Sequence, residues 1–93
     1  MNETRLERRL KNEVERRGGK ALKLVSPGMR GVPDRLVLLP GAHVVFVEMK
    51  APGEKPTPLQ EKRAADLREL GFQVYCIDSI TTIDEFIREV MPK

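Results

Sequence analysis

The stretch that decides the fold reads Pro33-Asp-Arg-Leu-Val-Leu-Leu-Pro-Gly-Ala-His-Val-Val-Phe-Val-Glu-Met-Lys50. It contains two runs of β-forming residues, 35–39 and 43–50, and Pro40-Gly41 between them is a turn signal. The runs are therefore predicted to pair as an antiparallel hairpin. Both are apolar at nearly every position, which is typical of strands covered on each face. We expect helices on both sides of this sheet.

Counting along the hairpin brings three chemically active side chains together. If residues 40–42 form the turn, Asp34 lies opposite Glu48, and the β-carbons of such a pair are roughly 5 Å apart. Alternate side chains of a strand share a face, so Glu48 and Lys50 point the same way. Placing charged side chains on a largely apolar face costs free energy, so this acid and this base are expected to serve a function there. The alternative, an exposed pair on an edge strand, is disfavoured by the apolar neighbours.

The paired carboxylates predict a metal site. Two carboxylates this close raise each other's pKa unless a divalent cation lies between them, and hard oxygen ligands suit Mg²⁺ or Mn²⁺. The main-chain carbonyl of Met49 is a further candidate ligand. A metal beside a lysine is what phosphodiester hydrolysis needs. Lys50 is placed to orient or deprotonate the attacking water, or to neutralise the charged phosphate, and the sequence leaves these roles open.

The flanking sequence adds helices and two further strands. Leu6, Leu10 and Val14 recur at helical spacing, and Gly18 is a natural stop for that helix. Residues 26–33 and 51–58 are rich in Pro and Gly and are predicted loops. In chain order, the predicted elements outside the hairpin are a helix over 4–17, strand 21–25, helix 58–70, strand 72–77 and a helix beginning at Thr82, with Glu85 completing its capping box. The predicted order is αβββαβα.

Length and composition predict one small intracellular domain. We expect a single domain over residues 1–93, and the scarcity of aromatic residues favours pairing with a second copy. The lone Cys76 excludes an internal disulfide and a cysteine zinc cluster, which fits a reducing compartment. The sequence contains no apolar run of the roughly 20 residues that a membrane helix needs. The expected location is the cytoplasm, with a bacterial or phage-encoded chain in a bacterial host as the setting.

Positive charge is concentrated in the first third of the chain. Residues 1–30 contain nine basic and four acidic side chains, whereas residues 31–93 contain eight basic and ten acidic ones. This asymmetry suits a polyanionic partner, because basic side chains that neutralise phosphates release counterions. On charge alone, a solvated helix face explains the pattern equally well.

Four motifs carry a family resemblance across nearly the whole chain. They are Ser26-Pro-Gly-Met-Arg-Gly-Val-Pro-Asp-Arg-Leu-Val-Leu-Leu39, Phe46-Val-Glu-Met-Lys-Ala-Pro-Gly53, Pro58-Leu-Gln60 and Gly71-Phe-Gln-Val-Tyr75. Together they closely resemble the VRR-Nuc family of PD-(D/E)XK nucleases. The resemblance implies a restriction-endonuclease-like α/β core of order αβββαβ, here with an additional C-terminal helix and a mixed sheet flanked by helices.

The resemblance also implies roles for site residues. Asp34 and Glu48 would hold the metal, Lys50 would be catalytic, and a glutamate of the first helix would complete the site. Glu3 and Glu7 are both candidates. Glu7-Arg8-Arg9-Leu10 with Gly18 reproduces the spacing of a motif in archaeal Holliday-junction resolvases, so Glu7 is the predicted ligand. Gln60 is singled out by the family pattern, with an amide expected to hold Lys50 or a water.

The function that follows is a Mg²⁺- or Mn²⁺-dependent, structure-selective DNA endonuclease. Similarity to stand-alone family members favours a homodimeric Holliday-junction resolvase. The alternatives are a less selective flap or duplex nuclease and a non-catalytic DNA-binding module. Arg30 and Arg35 flank the predicted site and Arg8 lies beside Glu7, and all three are expected to contact phosphate. Arg30 is also explained as a loop residue and Arg8 as solvated charge on a helix.

Simpler explanations exist for several of these residues. Glu7 and Gln60 are each placed to complete a capping box, with Thr4 and Thr57 respectively. His43 has no second histidine or cysteine nearby in the sequence and is predicted to be a surface side chain. Cys76 is predicted to be a small core residue.

Overall fold

The computed structural model describes residues 2–91, and its seven elements follow the predicted order. Asn2 caps the first helix, because its side chain accepts a hydrogen bond from the Arg5 backbone N–H. Thr4 therefore lies inside the helix, and the suggested capping box of Thr4 with Glu7 is wrong. The elements are α1 Glu3–Arg16, β1 Lys20–Lys23, β2 Arg35–Leu39, β3 His43–Met49, α2 Pro58–Glu69, β4 Gln73–Ile77 and α3 Ile80–Val90. The α/β fold class is confirmed.

The four strands form one mixed sheet in the order β1-β2-β3-β4. The β1–β2 and β2–β3 pairs are antiparallel, and β3 and β4 are parallel. The turn of the central hairpin places Gly41 and Ala42 at φ values of 85° and 60°. Leu39 pairs with His43, which is the register that the predicted turn requires.

The hydrophobic core lies on one face of the sheet, which we call the inner face. α1 and α3 cover this face and pack against each other. Because Leu6, Leu10 and Val14 recur every four residues, they form one stripe of α1, and all three are fully buried. The core also contains Val37 and Leu39 of β2, Val45, Val47 and Met49 of β3, Ile77 of β4, and Ile83, Phe86, Ile87 and Val90 of α3.

The opposite, outer face of the sheet is covered unevenly. α2 packs against β4, and none of its side chains is fully buried. Leu22, Leu36, Leu38, Val44 and Phe46 extend across the outer face of β1 to β3, where they are half-buried or exposed. The prediction that helices cover both faces therefore holds fully for the inner face only, because one short helix is too narrow to cover four strands.

Two sequence predictions near β4 and α3 are corrected. α3 begins at Ile80, with Ser79 and Thr82 as a reciprocal capping box, so the predicted box of Thr82 with Glu85 is wrong. Ser79 rather than Thr82 is the N-cap because a helix that starts after Ser79 places Ile80 against the core. Cys76 is exposed, because it belongs to the outer face beside α2.

Within residues 2–91, no helix is both long enough and apolar enough to cross a membrane.

Candidate active site

Asp34 is the residue that links the loop before β2 to the end of β3. Its backbone carbonyl accepts a hydrogen bond from the Leu24 N–H at 2.9 Å, which ties it to the chain after β1. Its Oδ1 accepts a hydrogen bond from the Met49 N–H at 2.9 Å. Since Arg35 pairs with Val47, one further step outward sets Asp34 opposite Glu48, as the sequence predicted.

The loop that delivers Asp34 rests on α2. Arg63 donates from Nε to the Arg30 carbonyl at 3.0 Å. Gly31 lies so close to α2 that a β-carbon there would be 2.7 Å from Cγ of Leu59, and its φ of +83° also favours glycine. Two anchors thus hold this loop, and with it Asp34, beside the start of α2.

Glu48 lies on the outer face of β3 with only 9% of its surface exposed. Nε2 of Gln60 donates to its Oε2 at 3.4 Å, a long hydrogen bond. The same amide also completes a capping box, because its Oε1 accepts from the Thr57 N–H at 2.9 Å. Gln60 therefore both caps α2 and contacts the site, and its amide reaches Glu48 rather than Lys50.

Burial and, after it, the neighbouring charge of Asp34 raise the pKa of Glu48 to about 7. Glu3 acts in the same direction, whereas Lys50 and Arg35 lower it. These contributions identify the charges around Glu48 as Asp34, Lys50, Glu3 and Arg35. The carboxyl is therefore held in a setting where an additional cation would strongly favour its ionised form.

Lys50 follows the last residue of β3 and is half-buried. Its backbone N–H donates to the Ile77 carbonyl at 2.9 Å, which continues the ladder between β3 and β4 by one residue. The backbone at this position is thereby fixed. Its charge lies near enough to lower the pKa of Glu48, so Lys50 belongs to the same cluster.

The two glutamates at the start of α1 have different surroundings. Oε1 of Glu7 is 2.6 Å from Nη2 of Arg35, and the Arg35 side chain is 9% exposed. Glu3 is half-buried, and its negative charge raises the pKa of Glu48. The structure therefore brings Glu3 to the electrostatic neighbourhood of Glu48 and engages Glu7 with Arg35.

The three arginines expected to contact phosphate are placed differently. Arg35 is 8% exposed and also donates from Nη1 to the Asp34 carbonyl at 3.0 Å, so it is a structural link. Arg30 is exposed on the loop, and Arg8 is exposed on α1. Lys11 and Lys23, which were not singled out in the sequence, line the same groove as Arg8. The spacing of Arg8 and Lys11 on one helix face was the sequence signal for Lys11, whereas Lys23 reaches the groove through its pairing with Arg35, which no sequence pattern indicated.

The donor set fits a hard divalent cation only in part. Asp34, Glu48 and the Met49 backbone supply oxygen atoms, which are the ligands that Mg²⁺ and Mn²⁺ prefer. Within residues 2–91, no group of three or more His, Cys, Asp or Glu side chains is arranged to hold an ion. The fit consequently rests on two carboxylates, with Glu3 as the nearby third acid.

No family model matches the chain, but comparisons with known sequences and solved structures each find a similar protein. A protein of Acyrthosiphon pisum secondary endosymbiont phage 1, named "Putative nuclease p44", is 56% identical over 79 residues, or 85% of each chain. A solved structure of a VRR_NUC domain superposes with a TM-score of 0.87 at 34% identity, covering 95% of this chain and 96% of that one. On this sequence and fold similarity, the chain belongs to the VRR-Nuc family.

Proposed function

We propose that this protein is a nuclease that hydrolyses phosphodiester bonds of DNA with a divalent metal ion. The observation that carries the proposal is the pairing of Asp34 with Glu48 at the end of the hairpin, with the pKa of Glu48 raised to about 7. Two carboxylates forced together at a partly buried site favour a cation as their common partner. Family membership and the name of the phage relative support the same activity.

In this proposal, Asp34, Glu48 and the Met49 carbonyl hold Mg²⁺ or Mn²⁺. Such an ion polarises the phosphoryl oxygen and acidifies a water molecule, which is the chemistry that phosphodiester hydrolysis needs. Gln60 keeps the Glu48 carboxylate oriented toward Asp34. The buried link from Arg35 to the Asp34 carbonyl keeps the Asp34 backbone in place.

Lys50 is the proposed catalytic cation. Its position after β3 places its charge beside Glu48, where it can orient the attacking water or stabilise charge on the phosphate. For the helical acid, the ion pair of Glu7 with Arg35 favours Glu3 as the carboxylate that completes the site. Glu7 then supports the site indirectly, by neutralising the buried guanidinium.

The proposed substrate is branched DNA, with a four-way junction as the leading candidate and paired endonucleolytic incision by a homodimer. Resemblance to stand-alone family members supports this choice. The outer face of the sheet is the proposed contact between the two copies, because Leu22 is 43% and Phe72 39% exposed there. A stable interface buries about 800 Å² on each partner, so this face would form the apolar centre of a larger contact. The proposed setting is the cytoplasm of a bacterial host.

A panel of labelled DNA substrates tests the proposal. Four-way junction, flap, nicked duplex and linear duplex are each incubated with Mg²⁺, Mn²⁺ or a chelator. We expect cleavage of the junction with either metal and none with the chelator. If flap and linear duplex are cleaved as well as the junction, the protein is a less selective nuclease rather than a junction-specific one. Binding without cleavage under every metal condition would favour a non-catalytic DNA-binding module.

A further inference from the structure

A groove of about 370 Å³ separates α1 from β1 on the inner side of the sheet, and we call it the α1–β1 groove. One face of α1 contributes Thr4, Glu7, Arg8 and Lys11, which recur at intervals of three and four residues. Lys23 lines the other side and pairs across the strands with Arg35, which closes the end of the groove. The groove is open to solvent along its length, because Arg8, Lys11 and Lys23 are all exposed.

The charge of this groove is strongly positive. Four basic side chains line it against one acidic side chain, Glu7. Glu7 is neutralised by Arg35 at 2.6 Å, so its charge opposes the other bases only weakly. Within residues 2–91, Arg8, Lys11 and Lys23 take part in no ion pair. The groove thus presents three exposed cations without a protein counter-charge.

The α1–β1 groove is linked to the active site through the backbone of Asp34. Arg35 donates to the carbonyl of Asp34, the residue beside it in the chain. The residue after Lys23, Leu24, donates its N–H to the same carbonyl at 2.9 Å. The backbone carbonyl of Asp34 therefore contacts both Arg35, at the end of the groove, and the residue that follows Lys23 on its β1 side. The exposed cations of the groove thus lie on elements that are tied to the active-site aspartate.

The groove on the other side of the site has the opposite character. It lies between α2 and β4, has a volume of about 380 Å³, and is lined by Glu48 and Glu61. Arg68 also lines it, but its Nη2 donates to the Val74 carbonyl at 2.8 Å. Apart from Glu48 of the proposed metal site, its charged lining residues are thus one acid and one engaged arginine, so the α1–β1 groove with its three exposed cations is the more favourable path for a phosphate backbone.

From this contrast we infer that the α1–β1 groove binds the sugar–phosphate backbone of the DNA strand next to the cleaved phosphate, through Arg8, Lys11 and Lys23. The inference rests on the proposed function, since it assumes that DNA reaches Asp34 and Glu48. These cations contact phosphates rather than bases, so their contribution is independent of DNA sequence and falls with salt. Arg35 is not part of the contact, because Glu7 and Asp34 already engage it.

Two charge-matched triple variants test this inference. The groove variant is Arg8→Gln, Lys11→Gln and Lys23→Gln, and the control is Arg9→Gln, Lys62→Gln and Arg88→Gln, all at exposed positions. Each removes three positive charges, so the two variants always have the same net charge, which is zero with Asp34 intact and +1 where Asp34 is replaced by Asn. Dissociation constants for a labelled junction are measured between roughly 50 and 200 mM salt with Asp34→Asn as the non-cleaving background, and cleavage kinetics are measured with Asp34 intact.

We expect the groove variant to bind at least roughly 30-fold more weakly at the lower salt, with the slope of log Kd against log salt reduced by about 2 to 3 relative to the unaltered protein. Its KM should rise while kcat stays within about threefold, because the groove does not touch the reacting atoms. The control variant should show nearly the same slope of log Kd against log salt as the unaltered protein. Equal losses in the two variants, or no DNA binding by the unaltered protein, would overturn the groove assignment. If the protein binds DNA tightly through the groove but cleaves none of it, the proposed function is wrong and the assignment of the groove as a DNA-binding site still holds.

Discussion

At the scale of single residues, Glu48 has the most unusual chemistry in the molecule. Burial and the charge of Asp34 raise its pKa from 4.5 to about 7, so near neutral pH the carboxyl exchanges a proton readily. A divalent cation competes with that proton for the same oxygens. Metal binding at this site should therefore release protons and strengthen as the pH rises.

The raised pKa of Glu48 predicts how stability depends on pH. A carboxyl whose pKa is raised by folding stabilises the protein fully below its ordinary value of 4.5, and this contribution is lost as the pH rises through about 7. Without metal, the free energy of unfolding should fall by up to about 3 kcal/mol between pH 5 and 8, since one pKa unit corresponds to about 1.4 kcal/mol. Thermal unfolding in chelator measures this loss, and Mg²⁺ or Mn²⁺ should reduce it.

The matched variant for this measurement is Glu48→Gln. It removes the titrating group and keeps the side-chain volume, so its melting temperature should vary less between pH 5 and 8 and respond little to metal. A pH profile unchanged by this substitution would show that another group causes the dependence.

The two glutamates of α1 should respond differently to substitution. Glu7→Gln leaves the buried Arg35 without its counter-charge, so we expect unfolding to become easier by about 1 to 3 kcal/mol. Glu3→Gln should leave stability nearly unchanged and lower the cleavage rate by roughly 10-fold or more, because Glu3 acts on Glu48. Chemical denaturation and single-turnover cleavage separate the two effects. A loss of activity in Glu7→Gln alone, at unchanged stability, would assign the helical acid to Glu7.

The sequence predicts the centre of the site better than its surroundings, for a physical reason. The hairpin has one turn and alternating side chains, so counting suffices to predict Asp34 opposite Glu48, and the observed register agrees; Lys50 on the same face stays a prediction. The ion pair of Glu7 with Arg35 joins two elements whose relative orientation depends on core packing. The spacing of residues within α1 or within β2 therefore does not predict how the two elements are oriented.

At the scale of elements, the contact between the 26–33 loop and α2 positions the site. Gly31→Ala introduces a β-carbon 2.7 Å from Leu59 Cγ at a residue with a φ of +83°, so the loop must shift or strain. We expect a loss of about 1 to 3 kcal/mol in stability and a lower cleavage rate, because Asp34 follows this loop. Gly28→Ala is the control, since nothing lies within 4 Å of a β-carbon there. Equal stability and activity in the two variants would contradict this role of the contact.

Element boundaries were predictable where local chemistry decides them. β2 matches its predicted range, and α2 begins at Pro58 after the Thr57 cap, because proline and a capping hydroxyl act within a few residues. α3 has two neighbouring caps, Ser79 and Thr82, and packing of the partly buried Ile80 against the core favours the first. The exposure of Cys76 likewise depends on how much of the outer face α2 covers, which strand periodicity does not specify.

At the scale of the whole molecule, the half-covered outer face predicts association. If two copies meet there, light scattering should report about twice the 10.6 kDa chain mass. The double variant Leu22→Lys and Leu38→Lys places charge on this face and should give a monomer. Leu70→Lys is the control, because Leu70 is 74% exposed at the end of α2, outside the proposed contact. A strictly monomeric unaltered chain, or a double variant that remains dimeric, would contradict the assignment.

One sheet with one core also favours a single folding unit, and we propose that residues 1–93 form one domain. Basic residues of the N-terminal third converge on the α1–β1 groove, so the charge asymmetry of the sequence becomes a local surface feature. The sequence contained the asymmetry, but a helix alone does not reveal which cations remain unpaired. The pairing of β1 with β2 supplies Lys23 and thereby the second wall.

The most direct test of the account is the single-turnover cleavage rate of a labelled four-way junction with Mn²⁺ by Asp34→Asn and Asp84→Asn, measured side by side. Both substitutions remove one carboxylate, but Asp84 is exposed on α3, away from the site. We expect Asp34→Asn to lower the rate by about a thousandfold or more and Asp84→Asn to leave it within about twofold. An unaltered rate in Asp34→Asn would contradict the assignment of Asp34 and Glu48 as the metal-binding centre of a nuclease.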